Sequence, residues 1–260
     1  MTGLKSPLGW FGGKSRLAKY LIPIIDSHHH TIYVEPFAGG ASVFFAKARS
    51  PTEVLNDVNT NLMQFYQKVQ TDAHPCQNYG TKTQYIESQN KLKSGTWDLC
   101  DFLIVNKNSF AKKMLTFGLG EKCSSQSKKN GTCNVLITNQ HMPQIQDRLQ
   151  QVKFHNTDYT EMIQQYDSPN TFFYADPPYD VNQSQSYRTD LSSVTPEKIA
   201  TNFQHIKGKV LISFNDSSEI RKEFTSRGYY VFPIEVKYTS NPFNQHKRPE
   251  LLITNFPLKL

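Results

Sequence analysis

Asp176-Pro177-Pro178-Tyr179 is the segment of this chain with the clearest chemical content. It follows the aromatic-rich run Thr171-Phe-Phe-Tyr-Ala175. Two consecutive prolines stop a strand, fix both φ angles and remove two backbone donors. A rigid turn remains, with outward carbonyls, a carboxylate before it and an aromatic ring after it. An acid-capped turn would account for Asp-Pro-Pro but gives no reason for the tyrosine. An exocyclic amine of adenine, a poor nucleophile because its lone pair is delocalised into the ring, would use every part. The Asp176 carboxylate and the Pro177 carbonyl can hold its two protons and favour the localised lone pair. Tyr179 can stack on the base, an interaction of about 1–3 kcal/mol. A duplex base cannot reach such a pocket while stacked, so it must be flipped out. Tyr187 and Arg188, in the polar stretch that follows, are candidates to close over it.

A second constellation lies near the N-terminus. The β-rich run Thr31–Val34 ends in Glu35-Pro36-Phe37-Ala38-Gly39-Gly40, and Glu53-Val-Leu-Asn-Asp57 reads as another strand with an acidic tip. Open α/β sheets bind ligands beyond the carboxyl ends of their strands, where a glycine turn admits close approach. Asp57 could accept hydrogen bonds from two ribose hydroxyls. The turn lacks G-x-G-x-x-G spacing, so a pyrophosphate is not specifically indicated. A nucleoside-bearing cofactor is one reading, and an ordinary tight turn with an acidic helix cap is the other.

The elements that must carry these groups read as strand, glycine turn, helix, strand, the signature of a βαβ unit. Leu17–Ile25, Ala41–Ala48, Pro196–Ile206 and Glu219–Ser226 are helical in pattern, and Phe172–Ala175, Lys209–Phe214, Tyr229–Val236 and Glu250–Asn255 are strands. Between about 60 and 150 the rhythm is lost and the chain turns polar. Leu62–Val69, Tyr85–Leu92 and Asp98–Val105 are helical there, and 122–132 is a loop or hairpin tip with an Asn-Gly turn signal. We expect one open α/β sheet from residues 1–59 and 151–260, interrupted by an inserted, mainly helical domain at 60–150.

The net charge is +7 over 260 residues. Residues 61–150 hold eleven Lys/Arg against six Asp/Glu, so most of the excess lies in the insert. That favours a polyanionic partner without proving one. No apolar run approaches the roughly 20 residues of a membrane span. Met1–Lys14 has no signal-peptide pattern, and an intracellular protein is expected. The four cysteines (76, 100, 123, 133) form no Cys-x2-Cys pair. They read as reduced thiols, although Cys123 and Cys133 flank a polar loop and could pair. His28-His29-His30 reads as a polar surface loop, and no metal is expected. Pro75-Cys76 lacks the context of a cytosine-C5 nucleophile.

Taken together these segments resemble the Dam-like, D12-class DNA adenine-N6 methyltransferases, over nearly the whole chain. Gly9-Trp10-Phe11-Gly12-Gly13-Lys14 looks like the family's W-x-G-G-K, and Glu35-Pro-Phe37-Ala-Gly39-Gly40 is similar to its D/E-P-F-x-G-G. Asn56-Asp57 matches the ribose-binding acid. Asp158-Tyr159 resembles the Asp-Phe pair beside the cofactor adenine. Ser213-Phe-Asn215 and Glu250-Leu-Leu-Ile-Thr-Asn255-Phe resemble the later strand motifs.

The resemblance implies a Rossmann-like S-adenosylmethionine-dependent sheet with an inserted target-recognition domain, acting on double-stranded DNA. By it the cofactor residues are Trp10, Gly12, Lys14, Glu35, Phe37, Gly39, Asp57, Asp158 and Tyr159, with Trp10 on the adenine side and Lys14 on the methionine carboxylate. Asp176 through Tyr179 are catalytic. The insert only echoes the family: Asn106-Lys-Asn-Ser109-Phe110-Ala111 stands for Asn-x-x-Gly-Phe-Asn, and Thr116-Phe-Gly118 for its hairpin. Lys112, Lys113, Lys128 and Lys129 would then meet phosphates. N4-cytosine members commonly carry Ser at the first motif position and glutamine-modifying ones Asn, so Asp176 favours adenine. The same fold acting on cytosine N4 or RNA adenine, and a catalytically silent nucleic-acid binder, are the alternatives. A separate cognate restriction endonuclease is compatible with the resemblance.

Overall fold

A computed structural model describes residues 3–74, 76, 81–118, 133–178, 194–238 and 246–258, without the side chains of 111, 133–139, 237–238 and 246–248. Tyr179, Tyr187, Arg188, Lys128, Lys129 and Cys123 lie outside the described residues. Among the described residues seven strands form one sheet. They are β1 (Ile32–Glu35), β2 (Thr52–Asn56), β3 (Lys153–His155), β4 (Thr171–Ala175), β5 (Lys209–Asn215), β6 (Tyr230–Tyr238) and β7 (His246–Thr254), in the order β3-β2-β1-β4-β5-β7-β6. β1 pairs in parallel with β2 and with β4, and β4 with β5. β7 runs antiparallel to both β5 and β6. This is the open α/β sheet that the alternation predicts, Rossmann-like as the resemblance implies.

β4 is buried at all five positions, which requires the unbroken apolar run Thr-Phe-Phe-Tyr-Ala: a parallel strand covered on both faces has no polar side. Antiparallel β7 allows a closing strand that follows no crossover helix. Its register sets Glu250 opposite Asn215, so Glu250 lies at the carboxyl end of β5.

The chain forms two compact units. One comprises 14–38, 47–58 and 155–260 and contains most of the sheet. Its core gathers Val34, Val54, Phe173, Ile212 and Ile253 with Ile199 and Phe203 of a helix at Pro196–Phe203 and Phe224 of another at Ser218–Ser226. Lys47 and Glu53 make a buried ion pair there at 2.6 Å, with Lys47 also 4.1 Å over the Tyr33 ring.

The other unit takes in 59–154 together with 1–13 and 39–46, stretches that the sequence reading groups with the sheet. It holds α2 (Ser42–Ala46), α3 (Thr60–Thr71), α4 (Lys82–Ser94), α5 (Leu99–Asn108) and α6 (Cys133–Leu149), α1 (Ala18–Asp26) belonging to the sheet unit. The rings of Phe65 and Phe102 stack at 4.7 Å between α3 and α5. Arg148 of α6 donates to the Phe44 carbonyl at 2.8 Å, its guanidinium 3.7 Å over the Phe44 ring. Burial works to raise the Asp101 carboxyl, but bonds from Ser88, the Asp98 backbone and Lys91 outweigh it and hold it below its ordinary value.

The sequence reading leaves three elements out. α6 is largely polar and carries Pro143, and its buried Met142, Ile145 and Leu149 make only a short apolar stripe. β3 is three residues long. α7 (Tyr159–Tyr166) starts at Asp158, whose carboxylate caps it by accepting from the Thr160 N–H at 2.9 Å. The cysteine expectation is corrected: Cys76 and Cys100 form a disulfide, with Cα atoms 5.3 Å apart. Their separation of 24 residues, across α4, conceals in one dimension what folding brings together.

Candidate active site

In the sheet unit, parallel pairing aligns the carboxyl ends of β1, β2 and β4, and the candidate residues follow from that. Glu35 ends β1, Asp57 follows β2 and Asp176 follows β4. Asn56 ties two of these ends to the start of α7. Fully buried, it donates to the Pro36 carbonyl at 2.9 Å and to the Thr157 carbonyl at 3.0 Å, and its Oδ1 accepts from the Thr157 N–H at 3.0 Å. That clamp brings the Phe37 and Tyr159 rings to 5.0 Å. Tyr159 accepts a bond from Asn202 at 2.6 Å, and burial raises its hydroxyl. The sequence reading takes Asn56 only as the partner of Asp57 in a motif; its clamp is a finding of the structure.

Asp176 is held from below. Ser213 of β5 donates to its Oδ1 at 2.9 Å, and the Tyr174 hydroxyl lies 3.2 Å from Ser213 Oγ. The Lys14 ammonium is 3.4 Å from the same carboxylate oxygen and 3.7 Å from Glu250 Oε2. Pro177 is buried and Pro178 partly exposed. Glu35, buried, accepts a bond from Tyr33 at 2.7 Å. Burial pushes the Tyr174 hydroxyl well up; Asp176 adds to that, the Ser213 bond opposes it, and Glu35 and Glu250 add further. Three carboxylates therefore act on one buried hydroxyl. Glu250 is the residue whose position the strand motif does not explain by itself.

Trp10, Gly12 and Gly39 belong to the helical unit. A turn closes from the Gly13 N–H to the Trp10 carbonyl at 3.1 Å, and Gly12 within it has φ +76°. Gly39 has φ +47°, and a Cβ there would stand 2.8 Å from Trp10 Nε1. What approaches this glycine turn closely is thus the Trp10 indole. Tyr66 of α3 donates to the Gly39 carbonyl at 2.9 Å, and Ser6 donates to that of Gly40.

Lys112 and Lys113 lie on a short hairpin, closed by a bridge between Ser109 and Phe117, with Phe110 largely exposed. Lys112 donates to the Lys107 carbonyl at 2.5 Å, and Lys113 sits 4.4 Å over the Phe11 ring. Burial, then the neighbouring Lys112 charge, lowers Lys107 to about 8. His28 and His30 use ring nitrogens on the Ile24 and His28 carbonyls at 2.7 Å each. Among the described residues no group of three or more His, Cys, Asp or Glu could hold a metal ion, and no helix is long and apolar enough to cross a membrane.

A family model of D12 class N6 adenine-specific DNA methyltransferases matches residues 10–240. The chain belongs to that family. A DNA N-6-adenine-methyltransferase of Escherichia phage P1 is 30% identical over 118 residues, covering 41% of this chain and 15% of that protein's length. The Type II methyltransferase M.CviBI of Paramecium bursaria Chlorella virus NC1A is 21% identical over 98% of this chain and 99% of its own. M.MjaIII, a Type II methyltransferase of Methanocaldococcus jannaschii, is 25% identical over 71% of this chain and 72% of its own. Among solved structures, a precorrin-6y C5,15-methyltransferase from Geobacter metallireducens GS-15 matches with a TM-score of 0.43 at 10% identity, over 92% of this chain and 86% of that one.

Proposed function

We propose that this D12-class enzyme transfers the methyl group of S-adenosylmethionine to N6 of an adenine flipped out of duplex DNA, with Asp176-Pro177-Pro178-Tyr179 as the catalytic segment. The observation that supports this most is the anchoring of Asp176 at the end of β4 by Ser213 and Lys14. A carboxylate fixed at a strand end can accept one N6 proton while the Pro177 carbonyl accepts the other, and positioning and electrostatics supply the rate. Tyr179 stacks on the extruded base, with Tyr187 and Arg188 closing over it.

The cofactor fits the chemistry of the residues assigned to it: the aromatic pair Phe37–Tyr159 suits an adenine face, and the excess of carboxylates around Tyr174 suits a cationic ligand. Bound there, S-adenosylmethionine supplies an electrophilic methyl on a sulfonium. Trp10, Gly12, Lys14, Glu35, Phe37, Gly39, Asp57, Asp158 and Tyr159 form its set, Asp158 doubling as the α7 cap. Residues 60–150 act as the target-recognition domain, with Lys113, Lys128 and Lys129 on phosphates; Lys112, bonded to Lys107, contributes through its charge. We place the reaction inside a bacterial or virus-infected cell, where a cognate restriction endonuclease would act separately.

The test is transfer of a radiolabelled methyl to duplex DNA, with sequencing of modified adenines in an expressing host. Methylation that disappears in Asp176→Ala is expected. An intact preparation that binds S-adenosylmethionine and methylates no DNA would overturn the proposal.

A further inference from the structure

We propose that Glu250 is a positioning residue for methyl transfer: through Lys14 it sets how strongly the Asp176 carboxylate accepts the protons of the target amine. The inference rests on the role given to Asp176 above. Glu250 reaches the site from β7, and Lys14 from the segment before α1. Their side chains are only 3% and 4% exposed, so the charges interact with little screening by water. The Lys14 ammonium stands 3.4 Å from Asp176 and 3.7 Å from Glu250. Coulomb attraction falls as the inverse of distance, so the lysine is shared between two carboxylates of nearly equal claim.

That sharing matters because Asp176 has two opposed requirements. It has to act as a carboxylate with Glu35 and Glu250 close by, all three acting on the Tyr174 hydroxyl, and like charges disfavour a carboxylate's charged form. It must also remain a good hydrogen-bond acceptor, and a carboxylate that owned the whole ammonium would be a poor one. Lys14 meets the first requirement, and Glu250, by drawing on Lys14, meets the second. Among the described residues Asp176 also faces Ser213 on β5 and Tyr174 on β4, with Glu35 on β1 bonded to Tyr33. Lys14 is the cation within 4 Å of both Asp176 and Glu250, and so the group through which Glu250 can act.

The signs follow. Glu250→Gln removes one claim on Lys14 and a neighbouring negative charge, so the Asp176 carboxyl falls. Lys14→Gln removes the cation and leaves Asp176 beside unshielded Glu250, so it rises.

The experiment is the pH dependence of kcat at saturating DNA and S-adenosylmethionine for the wild type, the two single variants and the double variant, with cofactor affinity by calorimetry and melting temperature alongside. Glu250→Gln is expected to move the acidic limb down by about one pH unit and to lower the plateau about tenfold. Lys14→Gln is expected to move the limb up, and the double variant to return close to the wild-type limb. Cofactor affinity in Glu250→Gln stays within about threefold, a free-energy change under 1 kcal/mol. Limbs that do not move, or that move in the same direction, overturn the proposal. So does a Glu250→Gln variant whose only defect is cofactor binding, which would make the pair a cofactor clamp. If Glu250→Gln does not fold, Glu250→Asp, which draws the charge back from Lys14, carries the test, an unmoved limb overturning the proposal. A wild type that methylates no DNA defeats the functional reading instead, before any limb is measured.

Discussion

Asn106 grips the backbone of Gly9 from both sides: its Oδ1 accepts the Gly9 N–H at 3.0 Å and its Nδ2 donates to the Gly9 carbonyl at 2.8 Å. The side chain is fully buried, so both bonds are made away from water. This joins α5 to the segment that carries Trp10 and Gly12. Truncation leaves two backbone groups to be resatisfied, at roughly 1–3 kcal/mol for each that stays buried. Asn106→Ala is expected to lower the melting temperature, and trypsin should cut at Lys5 or Lys14 sooner than in the wild type. Unchanged proteolysis would show that the clamp does not order the segment.

Gly39 is constrained twice, by φ +47° and by the Trp10 indole. Gly39→Ala is expected to destabilise by about 1–3 kcal/mol, measured by denaturant unfolding. Part of that is contact with Trp10 and part is backbone strain. In a double-mutant cycle Trp10→Ala should remove the contact part, so the two changes should not be additive. Additivity would mean that the ring yields freely and strain accounts for the cost.

Asn56 joins Pro36 to Thr157, and so sets Phe37 against Tyr159. Asn56→Ala is expected to weaken S-adenosylmethionine binding about tenfold, equivalent to 1.4 kcal/mol, and to lower stability by a few kcal/mol. Calorimetry on folded variant protein separates the two effects. Wild-type affinity would show that the Phe37–Tyr159 arrangement does not depend on the clamp.

Lys107 gives a pH signature. Its ammonium is lowered to about 8 by burial and by Lys112, below the ordinary value near 10.4. Between those values the unfolded chain binds more protons than the folded one, so stability rises with pH across the window. Below it the full cost of a buried charge is present. Lys107→Met is therefore expected to melt higher than the wild type at pH 7, with the gap closing as pH rises through about 8 to 10. A gap that does not change with pH would trace the effect to packing.

Much of this was legible in one dimension. The αβ alternation, the strand ends at Glu35, Asp57 and Asp176, and the glycine turn all depend on local rules: proline ends a strand, an apolar run of five makes a buried parallel strand, and only glycine accepts a left-handed φ cheaply. α6 and α7 were missed although each has an apolar spacing, Met142-Ile145-Leu149 and Tyr159-Met162-Ile163-Tyr166: Pro143 and the polar residues obscure the first, and the opening residues of the second read as cofactor contacts. Asp158 is an ordinary N-cap as well as a motif residue, and only the bond to Thr160 shows it.

By itself, then, the sequence determined the fold class, the family and the identity of the acid at 176, since residue type and order along the chain decide these. The tertiary structure decided which groups meet. Gly9 with Asn106, Pro36 with Asn56 and Thr157, and Lys14 with Asp176 and Glu250 are pairings across 20 to more than 200 positions, and no spacing rule reports them. The first is made within the helical unit, by α5; the other two follow from strand order and register, which place residues distant in the chain at one end of a sheet. Asp176 is a motif acid in the sequence; the folded chain makes it one of two carboxylates sharing a single buried lysine.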